Sequence, residues 1–361
     1  MAAVTEVASG RRLSAVSSAP VLTRQLRGLM ITGTITLFAL MLVSVYLMPL
    51  VYATALSLRG SSVEPGQPAW PSEAAQFTYQ GQSYDMYNVP IDGTFRQLAL
   101  YKPGREASTF IDPKDPSQPI DWQGRWRTLD KVWNFAPRWS NYAEAWQITN
   151  FGRLLFNTMA IAIIGTVGAV SSAVVIAYGF SRFHIPGKQI MFMILVGTII
   201  LPQQVTIVPT YAMFNAIGWV GTWLPLLLPH FFGNAYNVFL LRQFFMSIPR
   251  DLDEAAMIDG AGPLRTLISV IVPQSWAAII AVCLFHFFFA WNDFLAPLVY
   301  LVGHEDLWPI SVGMSYFTGQ YNTQPQLIQA TAIMALALPV VLFIVAQRMF
   351  VQGVVVTGVD K

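Results

Sequence analysis

The sequence predicts an all-α membrane protein with six transmembrane helices and an extended extracytoplasmic insert between helices 1 and 2. Three observations carry this. Charged residues make up only 11% of the chain and hydrophobic residues 54%, with a mean hydropathy of +0.49, whereas a soluble domain carries about 25% charge. Apolar runs recur near the roughly 20 residues that a helix needs to cross the hydrocarbon core. Lys and Arg gather in alternate short loops, as the positive-inside rule requires of a chain that crosses repeatedly.

The runs place the spans at about Leu29–Leu50, Leu155–Tyr178, Gln189–Tyr211, Thr222–Leu241, Trp276–Leu295 and Thr331–Phe350. The stretch from Gln189 to Leu241 has no Asp, Glu, Lys or Arg. It is too long for one crossing and suits two, with a turn near Asn215 to Gly221. The first run exceeds the 7–15 apolar residues of a signal-peptide core, so it reads as an uncleaved anchor. Arg11, Arg12, Arg24 and Arg27 precede it, and Arg182, Lys188, Arg242, Arg250, Arg265, Arg348 and Lys361 fall in the other loops of the same side. The opposite short loops, about 212–221 and 298–328, have no Lys or Arg. Both termini are therefore expected in the cytoplasm of a prokaryotic cell.

The organisation that follows is a cytoplasmic tail (1–28), helix 1 (29–58), the insert (59–150), a five-helix core (151–355) with a cytoplasmic connection (247–273), and a tail (356–361). The insert holds most of the acidic residues, many prolines and five tryptophans from Trp122 to Trp146. Alternation at Phe77–Tyr79 and Thr94–Tyr101 predicts a few strands there. Asn141–Trp146 reads as a short interfacial helix. A net charge of +2 gives no reason to expect nucleic acid. The single cysteine, Cys283, excludes an intrachain disulfide and a thiolate metal cluster.

The 247–273 connection is the most informative stretch. Pro249 suits a first helical position, and Asp251, Asp253 and Glu254 complement the positive end of a helix dipole. Gly260 and Gly262 supply a stop, and Pro263 forbids continuation. The helix is thus about ten residues long, or about 15 Å, too short to cross a membrane. A second apolar stripe, Leu264, Leu267, Ile268 and Ile271, follows at helical spacing and ends at Pro273. Small residues Ala255 and Ala256 beside Met257 and Ile258 let another surface approach the backbone. By this pattern the stretch is a docking knob or a solvated connection.

The run Glu254-Ala255-Ala256-Met257-Ile258-Asp259-Gly260-Ala261-Gly262, with Ile271-Val272-Pro273 downstream, resembles the EAA motif of ABC-importer permeases. Asn157, Tyr178–Phe183, Leu201–Gln204, Pro209, Trp291–Phe294, Pro297-Leu298 and Gln347–Gly353 resemble the maltose-type sugar branch of that family. The resemblance covers about 141–355, and the long insert departs from it. It implies a carbohydrate pathway shared with a homologous second permease subunit, two cytoplasmic ATPase subunits that hold ATP and Mg, and an extracytoplasmic solute-binding protein. It assigns ATPase coupling to Glu254–Gly262 and Pro273, with no cofactor and no catalysis on this chain. A polyamine or a phosphorylated glycerol is the alternative cargo.

The residues themselves agree that ATP is hydrolysed elsewhere. The nearest imitation of a phosphate-binding loop, Gly187-Lys188, continues with Gln189 and lacks the glycine five positions earlier. Polar groups at membrane depth are pathway candidates by default: Asn157, Gln203, Gln204, Trp291, Asn292 and Asp293. Competing against this, Asp293 suits a helix cap, Asn157 a bond between helices, and His286 a hydrogen-bonded bundle position. A secondary transporter would show charge deep in several spans and paired repeats. A membrane enzyme would show a nucleophile or metal cluster. The sequence displays neither set.

Overall fold

The computed structural model describes residues 21–61, 64–91, 93–318 and 323–355. Most of the expected 1–28 tail and all of the 356–361 tail lie outside these. The exception, 21–28, already belongs to a helix. Contacts divide the chain into Met1–Ala53 and Thr54–Lys361. The described part of the first unit is most of one helix, α1 (Val21–Ser57), whose Leu26–Ser57 portion has a mean hydropathy of 2.2.

The second unit opens on the last turn of α1 and then carries strands, among them the two expected at Phe77–Tyr79 and Thr94–Tyr101, so the all-α description holds for the core and not for 72–135. A five-stranded antiparallel meander runs through β2 (Gln76–Tyr79), β3 (Gln82–Ile91), β4 (Thr94–Lys102), β5 (Ala107–Asp112) and β6 (Asp115–Gln123) in sequence order. Beside it β1 (Ser72–Ala74) pairs with β7 (Trp133–Phe135). The register sets Tyr87 opposite Leu98, Leu100 opposite Phe110 and Phe110 opposite Ile120. Period-2 alternation puts these on one face, and Trp122, Trp126 and Leu129 close over them. Lys131 ties the sheet to the segment before it through Glu64 and Asp85, the latter at 2.9 Å. Burial alone would lower the Lys131 pKa, but hydrogen bonds to the two carboxylates outweigh it and raise the value well above the usual lysine range.

The short helix expected at Asn141–Trp146 is α2 (Ser140–Ile148). Its Asn141 amide donates to the carbonyls of Ser57 and Arg59, both at 2.8 Å. The helical core follows: α3 (Phe151–Arg182), α4 (Lys188–Gly197), α5 (Gln203–Ala216), α6 (Leu224–Leu227) and α7 (Ala235–Ser247). After these come α8 (Asp251–Ile258), α9 (Pro263–Thr266), α10 (Val272–Gln274), α11 (Trp276–Trp291), α12 (Leu295–Tyr300), α13 (Ile310–Gly313) and α14 (Pro325–Val355). Among the described residues, four helices are long and apolar enough to cross a membrane, or up to six if each of two bent pairs is one span.

The bent pairs revise two sequence expectations. The stretch expected as the third span is bent: the Lys188–Ile200 helix, which extends α4, meets α5 at 100° across Leu201-Pro202, since Pro202 cannot donate a helical N–H and pushes Leu201 into an extended conformation. Pro273 does not end its helix. It lies inside α10, reached through a π-helical turn at Leu267–Ile271, a widening that accommodates its missing donor. The chain turns two residues later, and α9–α10 meets α11 at 83°.

Helix α3 is the hub. Its buried Val170, Ala173, Ala177 and Tyr178 pack with Val238, Leu241 and Phe245 of α7, Leu267 and Ile271 of the π turn, and Ile279 and Val282 of α11. Gly165 and Gly168 face the rings of His230 and Phe231, where an added Cβ would stand 3.2 Å and 2.7 Å from them. Small residues at these two positions are what permit the close approach.

Candidate functional site

The 247–273 connection builds a short helix with a sharply defined end. Its first turn carries Asp251, Asp253 and Glu254, as expected, but Pro249 stands just outside and Arg250 takes the N-cap position. Residue 259 ends the helix. The Gly260 N–H donates to the Met257 carbonyl at 3.0 Å and the Ala261 N–H to the Ala256 carbonyl at 2.9 Å. This pair of bonds is a Schellman motif, and it places Gly260 at a φ of +76°, where a side chain is strained. Pro263 then starts α9.

On α8, Ile258 is 87% exposed and Met257 61%. Glu254, Ala255, Asp259, Gly260 and Gly262 are exposed too, Ala256 and Ala261 are half-buried, and Pro273 is exposed on its own turn. Large apolar groups therefore stand free on a helix whose first turn bears three carboxylates. Those charges make lipid a poor environment for the helix.

Asp253, also on α8, turns inward. Its Oδ2 lies 3.0 Å from Nε of Arg182, the last residue of α3, and the side chains are 13% and 8% exposed. The contact is an ion pair and not an aligned hydrogen bond, since that Nε is otherwise without a partner. Arg182 Nη2 also donates to the Ile248 carbonyl at 3.0 Å. Tyr178, Arg250, Met257 and Thr266 line a cavity of about 360 Å³ beside this junction.

The six pathway candidates fall into four places. Gln203 and Asp293 line one cavity of about 740 Å³, together with Thr206, Thr210, Asn234 and Tyr300. Trp291 and Asn292 line another, of about 630 Å³, bounded also by Ser311 and α14. Gln204 is exposed. Asn157 lies in neither cavity. It is buried, and its amide donates to the carbonyls of Asp306 and Trp308, each at 2.9 Å. Next to it, Thr158 accepts from the Ile310 N–H at 2.8 Å. The two side chains pin the 306–310 segment to α3.

Asp293 has a structural task as well. Its Oδ1 accepts from the Ala296 N–H at 3.3 Å at the start of α12, and its carbonyl accepts from the Ser311 hydroxyl at 2.6 Å. His286 bonds Asn237 at 3.1 Å through Nδ1 and meets the His230 ring edge to face at 4.8 Å. Sequence reasoning named His286 but missed His230, Asn234 and Tyr300 in the cavity wall. Isolated polar residues in apolar runs were their only signal. It passed over the Arg182–Asp253 pair because 71 positions separate the partners.

The family model for the binding-protein-dependent transport system inner membrane component matches residues 173–356. The osmoprotective compounds uptake permease protein GgtD of Synechocystis sp. is 33% identical over 222 residues, covering 61% of this chain and 74% of that protein. The alpha-glucoside transport system permease protein AglG of Rhizobium meliloti is 27% identical over 61% of this chain, and the match spans only 59% of that relative. The sn-glycerol-3-phosphate transport system permease protein UgpE of Pectobacterium atrosepticum is 31% identical, over 60% of this chain and 79% of that protein. In fold, the chain is similar to one from a bacterial ABC transporter involved in the import of the acidic polysaccharide alginate. The TM-score is 0.63 at 20% identity, covering 90% of this chain and 98% of that one.

Proposed function

The chain belongs to the family of binding-protein-dependent transport system inner membrane components, and from that membership we propose that it forms half of the pathway of an ATP-driven importer for a neutral carbohydrate. A second, related permease completes the pathway. Two ATPase subunits hold ATP and Mg on the cytoplasmic side, and a solute-binding protein delivers cargo on the other. Both termini and the 247–273 connection face the cytoplasm of a prokaryotic cell, and the 59–150 segment faces outward.

One observation carries the coupling role: Met257 and Ile258 stand exposed on a short helix rich in carboxylates. An apolar tip that is unsuited to lipid fits a protein cleft. Glu254–Gly262 then form a docked lever, and closure of the ATPases pushes it. The Gly260 corner fixes the angle between the lever and α9, and Pro273 continues the rigid connection to α11.

The cargo assignment rests on the larger cavity. Amide, hydroxyl and carboxylate groups line it beside the rings of Trp219, Phe289 and Tyr300. Such a wall suits the hydroxyls and apolar faces of a sugar. The similarity to a glycerol-phosphate permease favours a phosphorylated glycerol as the second reading. Among the described lining residues neither Lys nor Arg occurs, which disfavours an anion.

The test is co-purification of the tagged chain from its native membrane, followed by ATPase assay with and without Gly260→Asp. The reading expects ATPase subunits in the purified wild-type complex and their loss in the variant. Purification alone, without ATPase activity, would sink it.

A further inference from the structure

We propose that Arg182 is a strut that carries force from the short helix α8 into α3, so that α3 moves with the lever. This rests on the coupling role proposed above and goes beyond it, since the connection is joined by the backbone only to α7 and α11. Arg182 is the last residue of α3 and reaches the 247–273 connection at two points. Its Nε faces the Asp253 carboxylate at 3.0 Å, and its Nη2 holds the Ile248 carbonyl at 3.0 Å, at the close of α7.

Three features make this a mechanical link and not a surface contact. Both side chains are more than four-fifths covered, so the charges attract in a poorly solvated place where separating them is costly. Asp253 lies on the inward side of α8, with Met257 one turn on beside the same junction, while Ile258 is outward; a push on Ile258 therefore loads the pair. Above the pair, Tyr178 of α3 is packed with Ile248, Leu267 and Ile271 in one buried cluster. Force delivered at Arg182 thus enters the most heavily packed helix of the core, whose Gly165 and Gly168 abut the His230–Phe231 segment. His230 lines the large cavity. A rigid route runs from lever to cavity wall.

Arg182 acts through α8 and touches no cargo or nucleotide, so it is a positioning residue. Its test is a double-mutant cycle in proteoliposomes holding the full transporter, with solute moved and ATP hydrolysed measured together. Arg182→Gln and Asp253→Asn each raise the ATP hydrolysed per solute by about 2- to 30-fold, the range seen when a residue within a coupling network is changed. The double variant is no worse than the worse single, because both remove one contact. Arg182→Lys recovers part of the wild-type ratio. If Arg182→Gln perturbs folding, Asp253→Asn alone still decides, since it leaves the bond to Ile248 intact. Wild-type stoichiometry in both single variants, or full additivity in the double, overturns the strut. A wild-type complex without solute-linked ATPase activity overturns instead the importer reading on which it rests.

Discussion

The N–H of Ala261 donates to the carbonyl of Ala256 at 2.9 Å, and this bond closes α8 into a corner whose left-handed backbone favours glycine at position 260. No atom stands within 4 Å of the place a Cβ would occupy at Gly260, so its φ of +76° is the whole constraint. Gly260→Ala is expected to cost about 1–2 kcal/mol locally. Gly260→Asn costs less, because Asn tolerates the left-handed region. Retention of ATPase subunits on purification should fall in the order Gly, Asn, Ala, Val. An Ala variant equal to wild type would show that the corner does not set the docking geometry.

Asn157 and Gln203 should separate under mutation although both were pathway candidates. Asn157→Ala strands two buried carbonyls, for a loss of about 1–3 kcal/mol. It should lower the midpoint of denaturant unfolding in detergent while leaving the solute concentration for half-maximal uptake unchanged. Gln203→Ala, at an exposed position in the cavity wall, should do the reverse.

Asp293 gives the cargo assignment its sharpest edge. It is the one carboxylate among the described residues lining the large cavity. Asp293→Asn keeps the cap on Ala296 and removes the charge. Uptake of a neutral sugar should then change by less than about threefold, a difference of well under 1.4 kcal/mol. Inhibition by added sn-glycerol-3-phosphate should stay negligible in wild type. Strong inhibition of the wild type would favour the anionic cargo.

The pH dependence of the strand-bearing segment follows from Lys131. Its pKa is raised above the ordinary 10.5, because the carboxylates of Glu64 and Asp85 outweigh the desolvation that opposes charge. A raised folded value means that the stabilisation is complete below pH 10.5 and is lost as pH climbs through the folded value. Thermal unfolding followed by tryptophan fluorescence should show the wild type losing stability above pH 10.5. Lys131→Met should begin less stable at pH 8 and lose less over the same interval.

Much of the core was legible because it is written locally. Run length located α3 and α14, and the Gly260–Pro263 punctuation located the corner. What escaped depends on partners far along the chain. β6 contains Pro116 and Pro119, which offer no strand signal in the sequence, yet it is an edge strand, where a missing donor costs little. The 100° bend at Pro202 hides inside an apolar run, since hydropathy does not register direction. Asn157 advertised itself as a polar group at depth, and only the approach of Asp306 and Trp308 reveals what its amide holds.

The most direct measurement of the account is maleimide labelling of Ile258→Cys in a Cys283→Ala background. In inside-out vesicles holding this chain and its partner permease, the residue at position 258 should label rapidly with a membrane-impermeant reagent. Adding the ATPase subunits should suppress labelling about tenfold or more, as burial in a docked interface excludes water from central contacts. An unchanged rate with the ATPases bound, or labelling confined to right-side-out vesicles, would contradict the claim that α8 is the cytoplasmic handle of an importer.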